Sequence, residues 1–258
     1  MSAKDIIVKP ITRTDADRIV KSCHYSGKVV QNSQLHFGVF LNGKCGGAMQ
    51  FGPSLDKRRT QRLVEGTSWN GFLELNRMAF SDWLPRNSES RALSVVMRLI
   101  RKHYPHIEWI VSFADGTQCG DGTIYRASGF VLTAITKNST LLEFPDGERV
   151  SNLSTKLSPE FQLRKFGKVL LGQAGLQQAV RMGAKPIRGF QLRYVYFLNP
   201  DARKRLTVPI LPFTEIERRG AGMYLGKSKR VGSETSDTPT NLVGEGGSMP
   251  TPTLHSQD

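Results

Sequence analysis

Ile107-Glu108-Trp109-Ile110-Val111-Ser112-Phe113-Ala114 is followed by Asp115-Gly116, by Gly120-Asp121-Gly122, and then by Thr123-Ile124-Tyr125-Arg126-Ala127-Ser128-Gly129-Phe130. The first run is apolar, aromatic and β-branched, and reads as a strand buried on both faces. The glycines make a tight turn, and residues 124–128 make a short helix closed by Gly129, the residue type that ends helices in left-handed geometry. Upstream, residues 86–90 follow Pro85 and open a helix whose stripe, Leu93, Val96, Met97, Leu99 and Ile100, repeats at helical spacing until Pro105. Before it, residues 73–80 alternate: Leu73, Leu75, Arg77 and Ala79 on one side, Glu74, Asn76, Met78 and Phe80 on the other. A polar loop, 56–70, separates this strand from two runs, 35–41 and 44–51, joined by Asn42-Gly43, a strong hairpin signal. Residues 6–11 read as a first strand, with Thr12 or Thr14 capping a helix that runs out near His24-Tyr25-Ser26-Gly27.

Downstream, residues 130–136 and 140–144 are strand-like runs flanking Lys137-Asn138, and 192–198 read as a late strand of the same sheet. The succession predicts an α/β fold, a mixed sheet flanked by helices. One domain is expected over 1–215, including a basic segment at 149–215, with a basic linker and disordered tail over 216–258. The residues from about Ser228 onward are rich in Gly, Ser, Thr and Pro and lack the apolar content to offset chain entropy.

Charge narrows the function. The 258 residues carry a net +14, and residues 149–230 alone hold 17 Lys and Arg against four Asp and Glu. Such a stretch, with Phe, Tyr and Leu interleaved, points to a polyanion. The candidate phosphate contacts are Arg164, Lys165, Lys168, Arg181, Lys185, Arg188, Arg203, Lys204 and Arg205; a merely solvated basic face is the alternative. No apolar run reaches bilayer length and the start lacks a secretory h-region, so a cytoplasmic protein with no membrane association is expected. Three widely spaced cysteines, Cys23, Cys45 and Cys119, and no spaced His/Cys set argue against disulfides and structural zinc.

The turn at 86–90 is a candidate anion site, because a helix start offers free backbone N–H groups and the positive dipole end. Arg86, Ser88, Ser90 and Arg91 can add donors; an ordinary N-cap at Asn87 or Ser88 is the plainer reading.

The order of elements, with Tyr125-Arg126-Ala127-Ser128-Gly129-Phe130 as a Tyr-x-x-x-Gly-Phe element, resembles the N-acetyltransferase superfamily. That resemblance implies an acyl-coenzyme A held at the 86–92 turn and a Tyr125 that protonates the departing thiolate. The superfamily's glycines are missing from this turn, and Glu89 adds a negative charge. A finer resemblance is to the phage Mom family. It rests on His24-Tyr25-Ser26-Gly27, Leu35-His36-Phe37-Gly38-Val39, Glu74-Leu75-Asn76-Arg77-Met78, Asn87-Ser88-Glu89-Ser90-Arg91, Ser112-Phe113-Ala114-Asp115-Gly116 and the 122–130 segment. It implies a DNA-modifying transferase that converts adenine to N6-carbamoylmethyl-adenine in double-stranded phage DNA, in the host cytoplasm, and so blocks restriction. The donor it implies is acetyl-CoA by superfamily default. Because the product exceeds adenine by the atoms of one glycyl residue, glycyl-tRNA is the alternative donor, and tRNA a possible partner.

The same resemblance suggests roles. Asp115 is the first candidate base for the adenine amino proton, or else an Asx-turn residue. Tyr125 protonates the leaving group, or packs in the core. His24 and Tyr25 stack on or hydrogen-bond an extruded adenine, unless His24 is a structural residue at the helix end. Arg77 holds donor phosphate or Asp115, or pairs structurally with Glu74 or Glu89, and Ser90 is a phosphate ligand or a first-turn helix residue. Two rivals remain: an acyl-CoA-dependent N-acyltransferase for a protein or small amine, and a non-catalytic DNA-binding protein on an acyltransferase scaffold.

Overall fold

In the computed structural model, residues 2–117, 120–138, 140–170, 172–224 and 227–228 are described. Cys119 and the expected tail from 229 lie outside them. A seven-stranded sheet runs in the order β1-β2-β3-β4-β5-β10-β6, built from β1 (Ile7–Pro10), β2 (Leu35–Leu41), β3 (Lys44–Gly52), β4 (Phe72–Phe80), β5 (Trp109–Asp115), β10 (Gly189–Phe197) and β6 (Val131–Asn138). Asn42 and Gly43, at φ 51° and 78°, make the tight turn of the β2–β3 hairpin, as the Asn-Gly pair predicts. The helix α1 (Arg13–Cys23) starts at Thr12, whose Oγ1 accepts from Asp15 N–H at 3.2 Å. The helix α2 (Lys57–Gln61) lies within the loop that the sequence reads only as polar.

All neighbouring strands are antiparallel except β4 and β5, which run parallel through α3 (Ser88–His103). Their pairing stops early. Phe72, Leu73 and Glu74 face Trp109, Ile110 and Val111, and beyond that point no register joins them. The two strands therefore part toward their C-terminal ends, where a parallel α/β sheet collects ligands. The α3 N-terminus lies at that same end, because a crossover helix runs antiparallel to the strands it joins.

A β-bulge corrects the predicted faces of β4. Register shifts so that Gln50 pairs with Arg77 but Phe51 with Leu75, leaving Asn76 as the extra residue. An inserted residue reverses the alternation beyond it. Leu73, Leu75, Met78 and Phe80 consequently pack with the main core beneath α3, together with Leu93, Val96, Met97 and Ile100. Ala79 packs with Ala16, Ile19 and Val20 of α1, which places Arg77 on the α1 side. On that same side Phe72 stacks on Trp109 at 4.5 Å, and Trp109 Nε1 donates to Thr67 Oγ1 at 3.0 Å.

The late strand joins the sheet as expected, but it is inserted between β5 and β6, with Leu192, Tyr194 and Val195 fully buried. The short helix α4 (Thr123–Ala127) joins β5 to β6. The two runs flanking Lys137-Asn138 go to different sheets. The second, β7 (Leu141–Glu143), pairs with β8 (Arg149–Ser151) and β9 (Lys185–Pro186). With α5 (Asn152–Leu157), α6 (Pro159–Phe166) and α7 (Gln173–Arg181) these strands form an excursion having its own small core, including Phe144, Phe161 and Ala179. After β10 come α8 (Pro200–Lys204) and α9 (Thr214–Arg218). The expected boundary at 215 falls inside α9, whose Ile216 is buried in the main core, as is Ala221. No described helix is long and apolar enough to cross a membrane.

Candidate active site

The gap between β4 and β5 has two sides, and the candidate residues divide between them. On the α1 side, His24 caps the C-terminus of α1, and its Nδ1 accepts from Ser26 N–H at 3.2 Å with Ser26 Oγ at 2.8 Å. The bond from a backbone donor fixes the neutral tautomer with hydrogen on Nε2. Burial, and then the charge of Arg77, lower His24 to about 4. Tyr25 lies tilted on the His24 ring at 4.1 Å and is half exposed. Arg77 is pinned by Nε donating to Lys28 O at 2.9 Å and by a terminal nitrogen donating to Asn76 O at 2.7 Å. Burial lowers its pKa, while Tyr25 and Glu74 oppose that shift. His24, Tyr25 and Arg77 are thus brought together.

Glu74 belongs with them. The sequence reading treats it only as a structural partner for Arg77. Burial raises its carboxyl above the ordinary range, against hydrogen bonds from Ser54, Asn76 and the Leu55 backbone and the charge of Arg77. Its place inside Glu74-Leu75-Asn76-Arg77-Met78 was the one signal available; nothing local foretold the burial.

Asp115 ends β5 on this same side, by alternation with Trp109, Val111 and Phe113. Its Oδ1 accepts from Thr117 N–H at 3.0 Å, the Asx-turn bond weighed in the sequence, and from Asn138 Nδ2 at 3.2 Å. Asn138, from β6, figures in the sequence only as part of a spacer between two strand-like runs.

The α3 side holds the others. Tyr125 packs its ring 5.3 Å from both Phe130 and Tyr194, so its core-packing role is real. Tyr194 donates to Asp121 O at 2.5 Å, and burial raises its pKa. Gly122 closes this corner: its φ is +85° and a Cβ there would stand 2.8 Å from Tyr194 Cζ. Asn87 takes left-handed geometry at φ 69° ahead of α3 and makes no side-chain cap bond. Ser88 is fully buried and donates to Pro85 O at 2.6 Å, so its hydroxyl serves the turn instead of an external anion. Ser90 donates to Asn87 O at 3.2 Å. Arg86 and Arg91 are exposed beside this helix start. Ser112, one residue past the last β4–β5 pair, faces this side with a buried hydroxyl that has no hydrogen-bond partner among the described residues.

An acyl donor bearing phosphate fits these residues. The Ser112 hydroxyl can donate to a carbonyl, and the α3 start with Arg86 and Arg91 can take phosphate charge. The absent glycines and Glu89 make the fit to a closely cradled pyrophosphate poorer. Among the described residues no group of three His, Cys, Asp or Glu side chains gathers at metal-binding distance. A shallow hollow on the outer side of α1, lined by Thr14, Asp17, Arg18, Lys21 and Ser22, holds none of these candidates.

The basic segment is partly self-neutralised. Arg164 pairs with Glu148, and Lys165 with Asp146 and Glu148, both acids coming from the β7–β8 turn. Lys204 pairs with Asp201 at 2.7 Å, and Arg205 with Glu108 at 2.5 Å. These four are not free phosphate contacts. Lys168, Arg181, Lys185, Arg188 and Arg203 are exposed, with no ion pair among the described residues.

The model of the Mom protein family matches this chain over residues 5–215, a span that contains every candidate residue named above. The chain belongs to the Mom protein family. It is 38% identical over 210 residues to the methylcarbamoylase mom of Escherichia phage Mu, covering 81% of this chain and 82% of that protein. Among solved structures, it is similar to the ribosomal-protein-S18-alanine N-acetyltransferase of Escherichia coli, at 12% identity and a TM-score of 0.40, over 75% of this chain and 94% of that one. It is also similar to a GNAT family acetyltransferase from Elizabethkingia anophelis with acetyl-CoA bound, at 11% identity and a TM-score of 0.37, over 75% and 98%. In this Mom-family chain the motif residues of the α1 side are the ones that converge.

Proposed function

We propose that this chain is a DNA-modifying transferase that places a carbamoylmethyl group on N6 of adenine in double-stranded DNA, protecting it from restriction. Family membership supports the reaction class. The observation that carries the residue assignment is the convergence of His24, Tyr25, Glu74 and Arg77 on one side of the β4–β5 gap. Helix α3 and Tyr125 stand on the other side. Acceptor base and acyl donor thereby meet through the gap.

Adenine N6 is a weak nucleophile, because its lone pair is delocalised into the ring, and it needs a proton acceptor as it attacks. Asp115 is that acceptor; its carboxylate plane is set by Thr117 and Asn138. Tyr25, half exposed over His24, offers an aromatic platform to a base taken out of the stack. The hydrogen on His24 Nε2 can be donated to a ring nitrogen, and Arg77 supplies the fixed positive charge of that wall. Across the gap the Tyr125 hydroxyl protonates the leaving group, while Ser90, Arg86 and Arg91 hold donor phosphate. The donor supplies an activated carbonyl.

The product's atoms favour a glycyl ester over acetyl-CoA, which carries no nitrogen to give. N6 forms a bond to the glycyl carbonyl and the ester oxygen leaves with a proton. The glycyl amine then closes on adenine C6 through a five-membered ring, and the original N6 departs from C6 as the terminal amide nitrogen. Enzyme, duplex DNA, a tRNA charging system and isotope-labelled glycine test this, read by mass spectrometry of nucleosides. Label in the modified base supports the glycyl route, modified base without label overturns that donor, and no modified base overturns the function.

A further inference from the structure

The segment between β3 and β4, residues 53–71, touches the site described so far only through its start, beside Glu74 and Asn76. Its tip is Leu55, 91% exposed, against 66% for Leu157, the next most exposed large apolar side chain among the described residues. A lone exposed leucine is ordinary on a protein surface. The setting of this one is not. The strand leading into it pairs Gly52 with Glu74, and Asn76 Nδ2 donates to Pro53 O at 3.4 Å, two residues before the tip. Glu74 is the last β4 residue paired with β5, and its charge reaches Arg77. The tip therefore stands beside the point where the strands part.

Arginines follow it directly. Arg58, Arg59 and Arg62 are exposed and make no ion pair among the described residues. Burial, and then the charge of Arg59, disfavour the charged form of Arg193 of β10. The Arg193 side chain donates to Thr133 Oγ1 at 3.0 Å and to Thr133 O at 3.3 Å, with no carboxylate partner among the described residues. A half-buried guanidinium with a second cation nearby and no acid beside it is stabilised by an anion.

We propose that residues 54–62 form a finger that opens the duplex, with Leu55 entering the base stack as the adenine leaves it and Arg58, Arg59, Arg62 and Arg193 gripping the flanking phosphates. The inference rests on the reading that the substrate is adenine within double-stranded DNA. Apolar wedges inserted between base steps, beside cations on the backbone, are a general means of unstacking DNA. Because Leu55 is bare to solvent, its truncation leaves the core untouched.

The test compares two oligonucleotide duplexes, one with the target adenine paired to thymine and one with it opposite an abasic site. For Leu55→Ala the ratio of the paired to the unpaired rate falls roughly tenfold or more, and Leu55→Met restores it. The fluorescence rise of 2-aminopurine at the target position, on binding wild-type protein, is lost in Leu55→Ala. Replacing Arg58, Arg59 and Arg62 together by alanine lowers the salt slope of duplex binding by roughly three. A wild-type rate ratio in Leu55→Ala, or an unchanged slope in the triple variant, overturns the proposal. Modification of neither duplex by wild-type protein instead overturns the underlying reading of the substrate.

Discussion

Alanine at both Arg164 and Lys165 leaves the salt dependence of DNA binding almost unchanged, whereas alanine at Arg188 alone reduces it. Counted by sequence, all three are equivalent cations in one basic stretch. In the structure Arg164 and Lys165 are already bound to Glu148 and Asp146, while Arg188 is exposed and unpaired among the described residues. Each phosphate neutralised contributes about 0.9 to the logarithmic salt slope, or about a 3.5-fold change in affinity between about 50 and 200 mM salt. Arg188→Ala should therefore lower the slope by about 0.9, and the Arg164→Ala/Lys165→Ala pair by near zero. The converse change is sharper. Asp146→Asn with Glu148→Gln releases two cations and should steepen the slope by up to about 1.8. Fluorescence anisotropy of a labelled duplex titrated at several salt concentrations reads all three. A loss in the Arg164/Lys165 pair as large as two phosphate contacts would refute the argument that local acids silence these residues.

Gly122→Ala forces a side chain into left-handed geometry and against the buried Tyr194 ring; a loss of about 3 kcal/mol in urea unfolding is expected, and a loss under about 0.5 kcal/mol would contradict it. Because His24 is lowered to about 4 in the fold from 6.5, the unfolded chain binds its proton first. Stability should hold above about pH 6.5 and fall by about 2 kcal/mol as pH drops toward 4, after allowance for partial exposure. Arg77→Gln removes the second cause of that shift, and NMR titration of the His24 ring should then show a higher pKa, with an unchanged titration contradicting the assignment. Glu74 is shifted the opposite way, so its folded state keeps its proton longer and loses stability as pH rises through the carboxylate range. Glu74→Gln should flatten that part of the stability profile, and an unaltered profile would count against the burial.

The local parts of the fold were readable because single residues dictate them. Asn42-Gly43 admits few geometries other than a tight hairpin, Thr12 caps the first helix, and the Leu93 stripe has one spacing. What could not be read depends on distant pairing. A period of two carries no mark of an extra residue, so the bulge at Asn76 and the turning of Arg77 toward α1 were hidden. Chain order does not give spatial order, and β10 enters between β5 and β6 only after the 139–188 excursion. The motif residues His24, Tyr25 and Arg77 did converge. The counted cations overstated the free charge, because Asp146 and Glu148 stand just outside the basic stretch and fold back onto it.

The most direct measurement is mass spectrometry of nucleosides from the DNA of cells expressing the wild-type chain or Arg77→Gln, with folding of both confirmed by thermal melts. Deoxyadenosine carrying a carbamoylmethyl group should be present with wild type and fall by at least about a hundredfold with Arg77→Gln, the loss of roughly 2.7 kcal/mol that removing a charged, oriented contact at a reacting site brings. Unmodified deoxyadenosine with the wild-type chain, or an undiminished modification with Arg77→Gln, would contradict the placing of the chemistry at the β4–β5 gap.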